Sequence, residues 1–338
     1  MSLPKSMKAL VLRDYAGWQS AAVEDVPLPV PGERDVLIKV AAASLNFADL
    51  LMMEGKYQVK PDLPFIAGRD AAGVVVAAGP GVTGFKVGDR VCTQDSTGAF
   101  AEYDCSPDWS CTVLPPEIGF EDAAACATAI ATVAGAMKLR ADLKPGQSVI
   151  ITGATGGVGS MAIQYALLLG VRPIAVVSNE EKAALARSLG AEAVVLTAGM
   201  ADPVQEVRLA IREQGFHHVD AIIDMVGGNV GEGALRCVRP GGRYVIVGFA
   251  SGDLPTLNAG YLLVKDVMVF GSSLQRLMRA RDPELTQAVH DAFAALAVGK
   301  LKSQIDEIFP LSDSAAGFER MARRQALGKV VFSVGAAD

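Results

Sequence analysis

The stretch SVIITGATGGVGSMAIQYALLLG, Ser148 to Gly170, decides the fold. SVIIT is a short apolar run rich in β-branched residues, which reads as a buried strand. GATGGVG turns it into SMAIQYALLLG, an apolar helix expected to be buried nearly all round, with Gly170 where a helix stop belongs. A tight turn that opens a helix needs residues without side chains. It lets backbone approach a pyrophosphate, and the helix start offers free N–H groups and the positive end of a dipole. A purely structural turn between strand and helix is the competing reading.

The same rhythm continues outward. PIAVV, AVVL, VDAIID, GRYVIVGF and DVMVFG follow as apolar strands, with EEKAALARSLG and segments near 202–214 and 229–238 as helices between some of them. Alternation of this kind implies an α/β Rossmann fold, a doubly wound parallel sheet covered on both faces. Within it Gly156, Gly157, Val158 and Gly159 are the candidate pyrophosphate residues. Nucleotide choice is legible one strand later. Where NAD-preferring folds carry an acidic residue for the ribose 2′-OH, this chain has Ser178 and Asn179, with Lys182 one turn on. Hydroxyl, amide and ammonium donors suit a 2′-phosphate, so NADPH is the expected cofactor. A capping box of Ser178 with Glu181, and Lys182 as a solvated helix residue, is the plainer account of the same positions.

Upstream of about residue 125 the texture is different: MKALVL, DVLIKVAAASL, AAGVVVAAG and KVGDRVCT are short runs between Gly-Pro turns, a mainly β domain. After about 275, PELTQAVHDAFAALAVG and AAGFERMARRQALG read as helices and KVVFSV as a strand. That tail is too short for its own core and should pack back on the β domain. The expected division is 1–126 with 275–338, and 127–274 for the nucleotide domain. Segments 54–64 and 274–283 read as loops.

The 338 residues carry a net charge of −6 with scattered Lys and Arg, which argues against a nucleic-acid partner. The uncharged run between Lys144 and Arg172 is broken by its glycines and reads as buried core, so no membrane span is expected. The N-terminal residues do not resemble a secretory signal. The five cysteines form no CxxC pair and fit reduced thiols in the cytoplasm, with a Cys105–Cys111 redox pair as the alternative.

NFADLL, GRDAAGVVVAAGPGV and GFKVGDRV, in this order and followed by ATGGVG, resemble the medium-chain dehydrogenase/reductase family from about Met7 to Val334. The resemblance implies a GroES-like, mainly β catalytic domain completed by the C-terminal segment, a Rossmann domain, and a homodimer. Metal-dependent members hold zinc with a Cys, a His and a later Cys. The corresponding positions here are Asn46, Arg69 and Thr128, and an arginine supplies no ligand, so no metal is expected. His217, His218 and His290 lie far along the chain and are expected to be surface or packing residues. The remaining pattern is that of zinc-independent quinone oxidoreductases and their enone-reducing relatives. It implies that Asn46, Asp49 and Tyr57 line the nicotinamide end, with Tyr57 and the Asn46 amide as candidate donors to the acceptor oxygen and Asp49 in a positioning role. The Asn46–Asp49 spacing is equally that of a helix cap. Thr132 matches a position near the nicotinamide ribose. Val247, Gly248, Phe249 and Ala250, with Ser272 and Ser273, end late strands where the fold puts ligand loops. Thr197 stands where a tyrosine is often found against the adenine phosphate. The expected activity is NADPH-dependent hydride transfer to a small-molecule acceptor, a quinone or related electrophilic carbonyl. Reduction of a conjugated C=C bond and a non-catalytic NADPH-binding role are the alternatives.

Overall fold

The computed structural model describes residues 3–95 and 97–335. The chain forms two compact units, one from the residues up to Thr128 together with those from Ser303, the other from Ala129 to Lys302. In chain order the first contributes β1 (Ser6–Leu12), β2 (Ala22–Pro27), β3 (Asp35–Leu45), α1 (Phe47–Met53), β4 (Phe65–Ile66), β5 (Asp70–Ala78), β6 (Arg90–Gln94), β7 (Tyr103–Pro107), β8 (Cys111–Val113) and α2 (Phe120–Ala134), a helix that runs on into the second. The second contains β9 (Ser148–Thr152), α3 (Gly157–Leu168), β10 (Arg172–Val177), α4 (Glu180–Ser188), β11 (Ala193–Leu196), α5 (Pro203–Glu213), β12 (Val219–Asp224), α6 (Gly228–Leu235), β13 (Val238–Ile246), α7 (Ala259–Lys265), β14 (Met268–Gly271), α8 (Leu274–Arg279) and α9 (Pro283–Ala297). The chain then returns to the first unit with β15 (Ile305–Pro310), α10 (Ser314–Ala322) and β16 (Lys329–Ser333).

The second unit is the expected Rossmann sheet. Its strands run β11-β10-β9-β12-β13-β14, and every neighbouring pair is parallel. The order reverses between β9 and β12, the switch point at which such folds bind nucleotides at the carboxyl ends of the strands. Ile150, Ile174, Val176, Ile222 and Tyr244 are among the side chains that fill one face. Helix α3 buries Met161, Ala162, Ile163, Tyr165 and Ala166, but Leu167 and Leu168 at its end are exposed. Burial all round therefore fails in the last turn. Gly170 follows with φ 70°, closing the helix as expected.

In the first unit β2-β1-β4 form one antiparallel sheet. The other runs β15-β16-β3-β5-β6-β8, with β7 also paired to β3. Phe100, Phe318 and Phe332 meet in its core, Phe100 and Phe332 edge to face at 5.0 Å. The tail thus returns as α10 and β16, the latter pairing antiparallel with β3.

The division falls at 302/303 rather than 274/275. Helix α9 buries Leu285, Ala288, Ala292 and Phe293, and packs against the π-helical turn Gly135–Arg140 that continues α2. Gln164 on α3 also brackets Lys302, accepting its N–H at 2.9 Å and donating to its C=O at 3.0 Å. Segment 274–283, read as a loop, holds α8 and the start of α9. Segment 54–64 carries no helix or strand.

Among the described residues, Phe120–Arg140 is long and apolar enough to cross a bilayer, yet 78% of that window is buried within the protein. All five cysteines are free. His217, His218 and His290 are exposed.

Candidate active site

One constellation lies in the first unit, at the sheet corner where β3 ends and β5 and β16 begin. In register, Ser44 of β3 stands between Val331 of β16 and Asp70 of β5, and Asp70 pairs onward with Gln94. Glycine at position 68 is obligatory for the turn into Asp70. Its φ is 94°, and a Cβ there would sit 2.4 Å from the Phe100 ring.

Asp70 is fully buried and collects three donors. Thr128 Oγ1 donates to its Oδ1 at 2.5 Å, while Asn46 Nδ2 at 2.9 Å and Lys329 Nζ at 3.2 Å donate to its Oδ2. Lys329 Nζ also donates to Asn46 Oδ1 at 2.7 Å. Asn46 and Asp49 form the capping box of α1, with the Asp49 carboxylate accepting the Asn46 backbone N–H at 2.7 Å. Burial pushes the Asp49 carboxyl up to about 7, against the opposing pull of the Arg69 guanidinium. Asp49 Oδ1 and Gln94 Nε2 are buried without a hydrogen-bond partner. Arg69 lies 5.6 Å over the ring of Tyr57, which is half-buried against the aromatic core.

Asn46, Asp49, Tyr57, Arg69 and Thr128 are thus brought together, with one reorientation. The Asn46 amide is turned inward, its NH₂ shared between Asp70 and the Ser44 carbonyl at 3.4 Å. Lys329 escaped sequence reasoning. A lysine ahead of VVFSV looks like any solvated strand end, and only the pairing of β16 with β3 buries it.

The second constellation lies along the carboxyl ends of the Rossmann strands. Gly156 is the N-cap of α3, and Gly157, Val158 and Gly159 form its first turn. A Cβ on Gly159 would stand 2.2 Å from the Gly153 carbonyl oxygen, so glycine alone permits this approach of helix to turn. Ser178 and Asn179 follow β10, and Lys182 Nζ donates to Ser178 Oγ at 3.3 Å. The cap of α4 is Asn179, whose Oδ1 accepts the Lys182 N–H at 2.9 Å. This corrects the Ser178–Glu181 box: the helix starts one residue later than that pairing needs. Thr197 ends up bonded to the β10 end, its Oγ1 3.3 Å from the Val177 carbonyl.

Val247, Gly248, Phe249 and Ala250 follow β13, held by bonds from Val247, Gly248 and Ala250 N–H to the Asp224 and Met225 carbonyls. Ser272 is buried after β14, and Ser273 caps α8. Thr132 is buried within α2, in this second unit. Unforeseen here is a fully buried cluster. Asp224 Oδ1 accepts from Thr152 Oγ1 at 2.5 Å, Val226 N at 3.1 Å and Gly227 N at 3.0 Å, and Tyr244 OH donates to Oδ2. It pins the loop after β12 beside the glycine-rich turn. The charged end of VDAIID was its one sequence signal.

These features define a nicotinamide-nucleotide oxidoreductase built from a GroES-like and a Rossmann unit. The comparisons agree. Residues 32–116 match the alcohol dehydrogenase GroES-like domain, and residues 157–293 the zinc-binding dehydrogenase family. The chain is 33% identical to a quinone oxidoreductase-like protein 2 homolog of Nematostella vectensis, over 89% of this chain and 82% of that one. It is 31% identical to a quinone oxidoreductase of Sus scrofa, over 97% and 98%. Among solved structures, mycobacterial Rv1454c complexed with NADPH superposes with a TM-score of 0.88 at 29% identity, covering 97% of this chain and all of that one. The chain belongs to the medium-chain dehydrogenase/reductase superfamily and is a quinone oxidoreductase-like oxidoreductase.

Proposed function

We propose that this protein reduces a quinone or related electrophilic carbonyl with NADPH and without a catalytic zinc. The observation that carries the reading is the Asn46–Asp70–Lys329 network. At the corner where metal-dependent members hold zinc, this chain sets an amide, a hydroxyl, a guanidinium and an ammonium, and the Asp70 carboxylate there already accepts from the amide, the hydroxyl and the ammonium. None of these four is a zinc ligand of the usual thiolate, imidazole or carboxylate kind, and two are cations that repel a metal. Among the described residues no three His, Cys, Asp or Glu side chains are grouped to hold a metal ion. Zinc does not fit here.

The glycine-rich turn fits a dinucleotide, because Gly159 keeps the first turn of α3 tight against it and leaves the helix N–H groups for a pyrophosphate. Ser178 and Lys182 would hold the 2′-phosphate, and the strand end itself carries no Asp or Glu. Thr132, Val247, Gly248, Phe249, Ala250, Ser272 and Ser273 are assigned to the nicotinamide half. Bound NADPH supplies the hydride. Tyr57 donates a hydrogen bond to the acceptor oxygen as charge develops there, and Asp49 and Asn46 shape the ground beneath it. Five unbridged thiols support a cytoplasmic location. Exposed Leu263 and Val264 on α7, ahead of the edge strand β14, support a homodimer in which β14 extends the sheet.

The test is a titration of metal-stripped protein with NADPH and NADH, followed by turnover with a simple quinone and with an enone. Tighter NADPH binding and quinone turnover unchanged by chelator are expected. Activity that disappears with chelator and returns with zinc would overturn the metal-free reading, and turnover of the enone alone would move the assignment to C=C reduction.

A further inference from the structure

Lys329 has a hydrogen-bonding pattern that constrains its neighbours. Its side chain is 5% exposed beside a fully buried Asp70, and it comes from the last strand of the chain. An ammonium only donates. Bonded to Asn46 at 2.7 Å, it must face the amide oxygen, which leaves the amide nitrogen for Asp70 and the Ser44 carbonyl. With a donor at its oxygen and acceptors at its nitrogen, the amide has one orientation. Asn46 is also the N-cap of α1, and its backbone N–H is held by Asp49. The far end of α1 runs directly into segment 54–64, which carries Tyr57.

We propose that Lys329 is a positioning residue of the acceptor site: its ammonium takes the place of a metal cation at the sheet corner, fixes the Asn46 amide, and through the Asn46–Asp49 cap holds the helix that leads to Tyr57. The proposal rests on the reading of Tyr57 and Asn46 as part of the acceptor site. Lys329 itself moves no proton and touches no substrate. Its bond to Asp70 is an ion pair inside the protein, where a lone charge is costly and a matched pair tolerable. Removing both charges together therefore separates neutralisation of Asp70 from orientation of Asn46.

The experiment compares Asp70→Asn with Lys329→Met/Asp70→Asn. The first readout is hydrogen exchange of the Asn46 side-chain amide by ¹⁵N NMR in protein without cofactor, assigned by its loss in Asn46→Asp. The second is NADPH affinity by fluorescence, and the third is kcat and KM with 1,4-benzoquinone. Asp70→Asn should keep the amide protected, because Lys329 still holds its oxygen. The double variant should exchange that amide roughly tenfold faster or more. It should bind NADPH within about twofold of wild type, and lose about tenfold to 100-fold in kcat, the cost of misplacing an orienting group by ~1 Å. A double variant with wild-type amide protection, or with wild-type kcat, or one that does not fold, would make Lys329 a neutralising or structural residue and overturn the assignment. Wild-type protein inert toward quinone would instead sink the proposed function, while the exchange measurement still tests the hold of Lys329 on Asn46.

Discussion

Alanine at Gly156 and alanine at Gly159 should have opposite consequences although the residues are three apart. Gly156 has φ −70° and ψ 175°, backbone that any residue adopts, and a Cβ there meets nothing nearer than the Gly153 oxygen at 3.6 Å. Alanine is a poorer N-cap than glycine by about 1 kcal/mol or less. It also restricts the unfolded chain, which returns ~0.4–1 kcal/mol. The two nearly cancel, so the melting temperature of Gly156→Ala should move by less than about 2 °C. Its methyl group stands at the mouth of the helix, where a pyrophosphate must come close to backbone N–H. NADPH affinity should fall about ten- to 100-fold, which is ~1.4–2.8 kcal/mol. At Gly159 the added Cβ lies 2.2 Å from the Gly153 oxygen and 2.7 Å from Ala154 backbone atoms, none of which is a flexible side-chain tip. Backbone must shift, at about 1–3 kcal/mol or more, and the melting temperature should drop by several degrees. Scanning fluorimetry without ligand and a fluorescence titration with NADPH read the two quantities separately. Gly156→Ala with unchanged melting and wild-type NADPH affinity would refute the pyrophosphate assignment and return the turn to mere architecture.

Three other outcomes are expected. Tyr57→Phe should lower kcat with quinone by about 100-fold if its hydroxyl is the oxyanion donor, with NADPH affinity unchanged; steady-state kinetics beside a binding titration decide it. Lys182→Gln should weaken NADPH by about tenfold and leave NADH alone, while Ser178→Glu should reverse the preference; equal losses for both nucleotides would remove Ser178 and Lys182 from the 2′-phosphate. Asp49→Asn tests the buried carboxyl pushed up to about 7. Between about pH 4, where the unfolded carboxyl ionises, and pH 7 the folded state holds a proton that the unfolded state has lost, so Asp49 costs stability as pH rises, by up to ~1.4 kcal/mol per pH unit. Urea melts of both proteins across that window should show the variant gaining on wild type with pH; a constant difference would mean Asp49 is ionised throughout.

The Rossmann unit was legible from one dimension because its signals are local. A strand period, a glycine turn and a helix stop each lie within a few residues, and β9 to β14 overlap SVIIT, PIAVV, AVVL, VDAIID, GRYVIVGF and DVMVFG, with β13 starting four residues ahead of GRYVIVGF. The glycine run and the Ser178–Lys182 end of β10 belong to the same class, since one element positions each of them. What the sequence could not decide is whatever depends on a partner far along the chain. The fate of α9 turned on its packing against the turn after α2, so the second boundary moved from 275 to 303. The Asn46 amide faces Asp70, 24 positions away, and a lysine 283 positions away. Composition and spacing specify which groups a chain carries and which local turns it can make. Only the pairing of β16 with β3 could bury an ammonium against Asp70, because a buried charge acquires its role from the opposite charge that the fold brings to it.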